Sequence, residues 1–203
     1  MNEYMEYLAK IIPEKDSLKL VKNEAEKYYK SHSLDDCFNM GIELYHSDNF
    51  QIQEVGIFLL GYSAHHNISA LSFLKDTVSQ HDSWKVQEIL AMAFDNHCKI
   101  IGYNVALPLI KEWLNSDCAN VRRAVSEGLR IWTSRPYFKD NPQIAIQLLS
   151  AHREDVRKSV GNALRDISKK YPELISKELS LWNLSSKEII QVYKLANKFL
   201  DLT

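Results

Sequence analysis

A short pattern recurs four times along this 203-residue chain at a nearly constant interval. The copies are residues 51–55 (QIQEV), 85–89 (KVQEI), 120–124 (NVRRA) and 155–159 (DVRKS). Their branched apolar residues, Ile52, Val86, Val121 and Val156, stand 34, 35 and 35 residues apart. Such a period marks a solenoid, whose units bury their apolar faces only by stacking on neighbours.

The pattern inside each copy gives the kind of unit. Counting from the branched residue, offsets +3, +4, +7 and +8 are apolar or small in every copy, as in Val55, Gly56, Leu59 and Leu60 or Ala124, Val125, Gly128 and Leu129. That is the period of an amphipathic helix, not of a strand. A second amphipathic stretch precedes each copy, for example LDDCFNMGIELY, ISALSFLKDTV and NVALPLIKEWL. The chain is thus expected to be an all-α solenoid of stacked HEAT-like helix pairs, one domain over residues 1–203. Helix N-termini are expected near Phe50, Trp84, Ala119 and Glu154. Gly56, Gly128 and Gly161 fall inside these helices, where glycine costs about 1 kcal/mol relative to alanine. Close approach of a neighbouring helix is the expected reason.

Composition narrows the class. No apolar run reaches the 18 or so residues of a membrane span, and the N-terminus lacks a secretory cleavage pattern. Cys37, Cys98 and Cys118 are odd in number and lack metal-ligand spacing, which points to a reducing cytoplasm. The His97-Cys98 pair is solitary, and His65-His66 reads as the end of a helix rather than a ligand pair. No metal and no cofactor is expected.

The net charge of −1 hides a strong asymmetry. Residues 1–118 hold 10 Lys/Arg against 17 Asp/Glu, residues 119–170 hold 11 against 5, and the last 33 hold 4 of each. A basic segment in a neutral chain directs a field toward a polyanion. Offsets −2, +2, +6 and +9 fall at about 160–240° from the core stripe, on the side expected to line the concave surface of a solenoid. Offset +2 reads Glu54, Glu88, Arg123, Lys158, and offset +9 reads Gly61, Asp95, Arg130, Arg165. Offset −2 reads Phe50, Trp84, Ala119, Glu154, and offset +6 reads Phe58, Met92, Glu127, Asn162. The last two copies therefore place four cations on one face, in two rows suited to a phosphate backbone. The first two place aromatics and carboxylates there. Trp84 and Glu88, four residues apart, share one helical face. Ser83 is positioned to cap the helix that Trp84 begins.

Residues 50–174 resemble the HEAT-like-repeat DNA glycosylases of the bacterial AlkD and AlkC type, which remove alkylated bases. The stretches that carry the resemblance are FQIQEVGIFLLGY, SWKVQEILAMAF, NVRRAVSEGLR and DVRKSVGNALRDISKKYPELI. In the AlkD branch a tryptophan and an aspartate four residues later flank the lesion. An arginine in the next repeat contacts the backbone, and a second tryptophan stands in the last repeat. On this chain those positions hold Trp84, Glu88, Arg123 and Asn162. Glutamate for aspartate moves the charge by about 1 Å, and such a displacement can cost on the order of a hundredfold in rate.

The resemblance implies a DNA-binding repair protein that hydrolyses the N-glycosidic bond of cationic N3- or N7-alkylpurines. Trp84 and Glu88 are then the catalytic pair, with Arg123, Arg130, Lys158, Arg165 and Asn162 on the DNA. The implied partner is double-stranded, damaged DNA, bound by a monomer in a bacterial cytoplasm at the nucleoid. A catalytically weak or inactive DNA-binding paralogue, and a protein-binding HEAT scaffold, are the alternative readings.

Overall fold

The computed structural model describes residues 3–12 and 17–200. Among them there are twelve α-helices, one 3₁₀ turn at Val78–Gln80 and no β-strand. The chain divides into two compact units, Met1–Gly102 and Tyr103–Thr203.

The first unit holds α1 (Glu3–Ile11), α2 (Leu18–Ser31), α3 (Leu34–Tyr45), α4 (Phe50–Ser63), α5 (Ile68–Asp76) and α6 (Trp84–Ile101). Short polar residues fix the helix starts. Ser33 and Asp36 form a reciprocal capping box at α3, and Asn49 and Asn67 accept from the Gln51 and Ser69 amides at α4 and α5. The helix α4 packs against α2, α3 and α6. Its core includes Ile52, Val55, Leu59 and Leu60, with Phe94 of α6 also fully buried.

The second unit holds α7 (Tyr103–Leu114), α8 (Ala119–Trp132), α9 (Pro142–Ala151), α10 (Arg157–Ser168), α11 (Pro172–Ser180) and α12 (Lys187–Asn197). Pro142 and Pro172 open α9 and α11, where the missing N–H has no helical partner to lose. Trp113, Trp132 and Phe138 are fully buried. The helix α10 packs against α8 on one side and α12 on the other. In each unit, then, the second helices of consecutive repeats lie side by side, as the 34- and 35-residue intervals predict.

Four expectations need correction. The first three repeat helices start at Phe50, Trp84 and Ala119, but the fourth starts at Arg157 rather than Glu154. Residues 152–155 turn instead, with the amides of Asp155 and Val156 both donating to the His152 carbonyl, so Val156 is an N-cap residue. The face of α4 expected to be open is closed. Glu54 is 6% exposed and Phe58 1%, because α2 also packs on α4, with Lys22 of α2 standing over the Phe58 ring. Ser83 occupies the N-cap position of α6 but makes no side-chain cap bond. Finally, Gly128 is crowded by its own helix, since a Cβ there would stand 2.5 Å from the Trp132 indole.

Gly56 and Gly161 do answer to neighbouring helices. A Cβ on Gly56 would lie 2.7 Å from the Gly41 carbonyl oxygen of α3, and one on Gly161 would lie 2.8 Å from Leu195 Cβ of α12. The Gly161 contact brings α12 close against α10, and α12 forms one wall of the site described next.

Candidate nucleic-acid interface

In the second unit a cleft of about 740 Å³ opens between the first turns of α8 and α10 and the side of α12 that adjoins α10. Ala119, Asn120 and Arg123 come from α8, and Arg157, Lys158 and Ser159 from α10. Gln191, Val192, Lys194 and Leu195 come from α12, and Val156 completes the lining. Four of these residues are cations and none is an acid. No carboxylate among the described residues pairs with Arg157, Lys158 or Lys194. The N-cap residues Cys118 and Val156 make no side-chain cap bonds, and at α10 this leaves first-turn amides available to an anion.

Arg123 and Lys158, the offset +2 pair of the third and fourth copies, thus share one cleft. The offset +9 pair, Arg130 and Arg165, is arranged differently. Arg130 Nη1 lies 3.5 Å from Asp166 Oδ2, and Arg165 Nε donates to Asp166 Oδ1 at 3.1 Å. Glu127 Oε2 is 3.4 Å from Arg130 Nη2, and Lys169 Nζ is 3.6 Å from Asp166 Oδ1. Arg165 Nη1 also donates to Asn162 Oδ1 at 3.1 Å. Asp166 therefore draws three cations of the basic segment onto one carboxylate. Sequence reasoning missed this hub because it read only the repeat offsets, and Asp166 sits beside Arg165 rather than at one of them. It also missed Lys194 and Gln191, which lie outside the four copies in a segment of balanced charge.

In the first unit Trp84 begins α6 with 61% of its surface exposed, and Glu88 lies exposed one turn further on. Both line a small cavity of about 70 Å³ with Phe50, Gln51, Glu54 and Lys85. Lys85 Nζ stands 4.4 Å from the Phe50 ring centroid, a cation–π distance, so a cation of the chain itself already stands at this aromatic and acidic cavity. Gln51 is 1% exposed. Its Nε2 donates to Ser17 Oγ at 2.7 Å, while its Oε1 has no hydrogen-bond partner.

Cys37 of α3 and His97 and Cys98 of α6 belong to the core. Burial, with the Asp36 charge adding to it, pushes the Cys37 thiol up to about 11. Burial and the nearby Asp95 push Cys98 up as well. Burial, then the charge of His65, holds His97 below the usual imidazole range. Among the described residues no group of three or more His, Cys, Asp or Glu could hold a metal ion. No helix among them is long and apolar enough to cross a membrane.

Comparison with known proteins gives these features a family. A family model described as "DNA alkylation repair enzyme" matches residues 17–179. Among solved structures, AlkD2 from Streptococcus mutans is 48% identical, with a TM-score of 0.93 over 98% of each chain. The smu.31 protein of Streptococcus mutans UA159 is 50% identical, with a TM-score of 0.88 over 97% of this chain and 99% of that one. No match was found among curated proteins. A matched span that takes in both basic helices α8 and α10, the Trp84–Glu88 turn of α6 and most of the helical repeats places this chain in the DNA alkylation repair enzyme family.

Proposed function

We propose that this protein binds duplex DNA in the service of alkylation repair, gripping phosphates with Arg123 and Lys158. DNA is the partner that the family implies. The observation carrying the grip is that equivalent positions of two successive repeats open on one cleft containing four cations and no acid. Cations contacting phosphates bind without reading sequence and release condensed counterions. The protein works as a monomer without a cofactor, in the cytoplasm where the nucleoid lies. Replacing Arg123 and Lys158 together with alanine should weaken binding to duplexes of any sequence. It should also flatten the plot of log affinity against log salt by about one unit per lost phosphate contact. An unchanged affinity and slope would refute the grip.

A second reading adds catalysis, and the pairing of Trp84 with Glu88 at one cavity favours it. Cationic N3- or N7-alkylpurines are good leaving groups, so the protein must chiefly stabilise an oxocarbenium-like sugar and place a water. Glu88 would supply the fixed negative charge and orient the water, and the Trp84 ring would face the sugar. Two observations weigh toward binding with little or no hydrolysis. Glu88 is exposed, so water screens the charge that a water-excluded site would make effective. Position 162 holds an asparagine whose carbonyl is engaged by Arg165, not an aromatic ring. Incubating the protein with duplex containing N7-methylguanine or N3-methyladenine, and measuring free base, separates the two. Release at a rate matching an active relative would establish the second reading.

A further inference from the structure

The cleft of the second unit is larger and more charged than contact with a continuous backbone requires. A cube of its volume of about 740 Å³ is about 9 Å on edge, narrower than the major groove of B-DNA alone, about 12 Å wide. A duplex can touch the rim of such a cleft but cannot fill it. The volume lies within the range of small-molecule sites, roughly 300–1,000 Å³. Its lining is divided in kind. Arg123, Arg157, Lys158 and Lys194 supply charge, Asn120, Ser159 and Gln191 supply hydrogen-bonding groups, and Ala119, Val156 and Leu195 form an apolar surface over the buried Val192. A polyanion lying along the rim needs the charges alone. The apolar surface beside the charges calls for a ligand with one phosphate and one apolar body.

We propose that this cleft is a nucleotide site, holding a single phosphorylated nucleoside with its phosphate among Arg157, Lys158 and Lys194 and its sugar and base against Ala119, Val156 and Leu195. The inference deepens the DNA-binding reading, because Arg123 and Lys158 belong to both. Charge favours a terminal phosphate in particular. A phosphomonoester carries about −1.5 to −2 at pH 7, against a single charge on each backbone phosphodiester, and the three cations around it match the larger charge better. The packing of α12 onto α10 at Gly161 is what brings Lys194 to the same cleft as Lys158. Chains with the basic repeats but without this terminal helix would keep the rim and lose the site.

Two sources would present this chemistry, a free mononucleotide and a nucleotide unit displaced from or ending a DNA strand. Isothermal titration of the full chain with deoxyadenosine 5′-monophosphate should show saturable binding. Deoxyadenosine and inorganic phosphate should each bind at least about tenfold more weakly. Lys194→Glu reverses a charge on an exposed helix face and should weaken the nucleotide about tenfold or more, while circular dichroism and melting stay as in the wild type. A duplex with a single-nucleotide gap bearing a 5′-phosphate, compared with the same gap lacking it, tests the strand source. A preference for the phosphorylated gap that disappears in Lys194→Glu assigns the site to DNA, and mononucleotide binding without that preference assigns it to free nucleotide. Inorganic phosphate binding as tightly as the nucleotide would overturn the proposal, as would an equal response to a phosphoserine peptide or an indifferent Lys194→Glu. If the nucleotide fails to bind while intact duplex still depends on Arg123 and Lys158, only the nucleotide site falls. If the nucleotide binds and duplex does not, the DNA grip falls instead.

Discussion

Asn162 Oδ1 accepts a hydrogen bond of 3.1 Å from Arg165 Nη1. Two residues that the repeat register placed toward DNA are thereby bound to one another, and Arg165 reaches on to Asp166. The resemblance to the AlkD type implies a tryptophan at the position that Asn162 holds. Here the position serves an internal polar network whose centre is the Asp166 carboxylate, shared by Arg130, Arg165 and Lys169.

That network holds back cations that could otherwise meet phosphates. Asp166→Asn removes one negative charge and loosens Arg130 and Arg165. Duplex affinity should rise about two- to fivefold at low salt, with a steeper salt dependence. Stability should fall by about 0.5–2 kcal/mol, since charge-assisted hydrogen bonds to a partly buried carboxylate are lost. Fluorescence anisotropy against salt, with urea unfolding alongside, reads both. Affinity that falls on this substitution would show that the hub orders the arginines for binding.

The pair on α6 offers a direct test of catalysis. Glu88→Gln keeps size and hydrogen bonding while removing the charge, and the side chain is exposed, so stability and duplex affinity should hardly change. Removing such an electrostatic group typically costs roughly 100- to 1000-fold in rate. Any alkylbase release by the wild type should therefore drop by that factor, and Glu88→Asp should keep or raise it. Release that is equally fast in Glu88→Gln would place the chemistry elsewhere.

The seat of α12 depends on a missing methyl. A Cβ at position 161 would stand 2.8 Å from Leu195 Cβ and 3.0 Å from its Cδ1. Gly161→Ala should destabilise the protein by about 1–3 kcal/mol through overpacking, outweighing the gain of up to about 1 kcal/mol in helix propensity. The midpoint of urea unfolding should fall with little change in slope. Displacing Leu195 also moves the adjacent Lys194, so nucleotide binding should weaken in the same variant.

Acid should act through His97. Burial holds its folded-state titration below the ordinary imidazole range, with the charge of His65 contributing, and its Nδ1 is buried without a hydrogen-bond partner. The unfolded chain binds the proton more tightly, so the contribution is present above the unfolded value and lost as pH falls through the folded one. Stability should decline as pH drops below about 6.5, and His97→Gln should flatten that limb while leaving the curve near pH 8 parallel. Melting curves between pH 5 and 8 check this.

Much of the fold was legible in the chain because repetition is a one-dimensional signal. The interval of 34–35 residues and the +3, +4, +7, +8 apolar offsets located three helix starts to the residue, and the glycines at 56 and 161 marked close helix contacts. The offsets also paired Arg123 with Lys158 and Arg130 with Arg165. What they read wrongly was exposure. Glu54 and Phe58 occupy the same offsets as Glu88 and Met92, yet they are buried, because α2 packs on α4 and nothing in the α4 sequence announces that cover. The fate of each cation was equally a matter of three dimensions. Whether an arginine points at a cleft or at Asp166 depends on which side chains from other turns arrive within about 3–4 Å, and a register specifies direction, not neighbours. The sequence by itself determined the helical period, the apolar stripe and the position of each charge along it, since these follow from local geometry. The tertiary structure alone decided which of those charges share a cavity, which cancel, and that a helix outside the repeats closes the cleft, because burial and pairing arise from contacts between segments far apart in the chain.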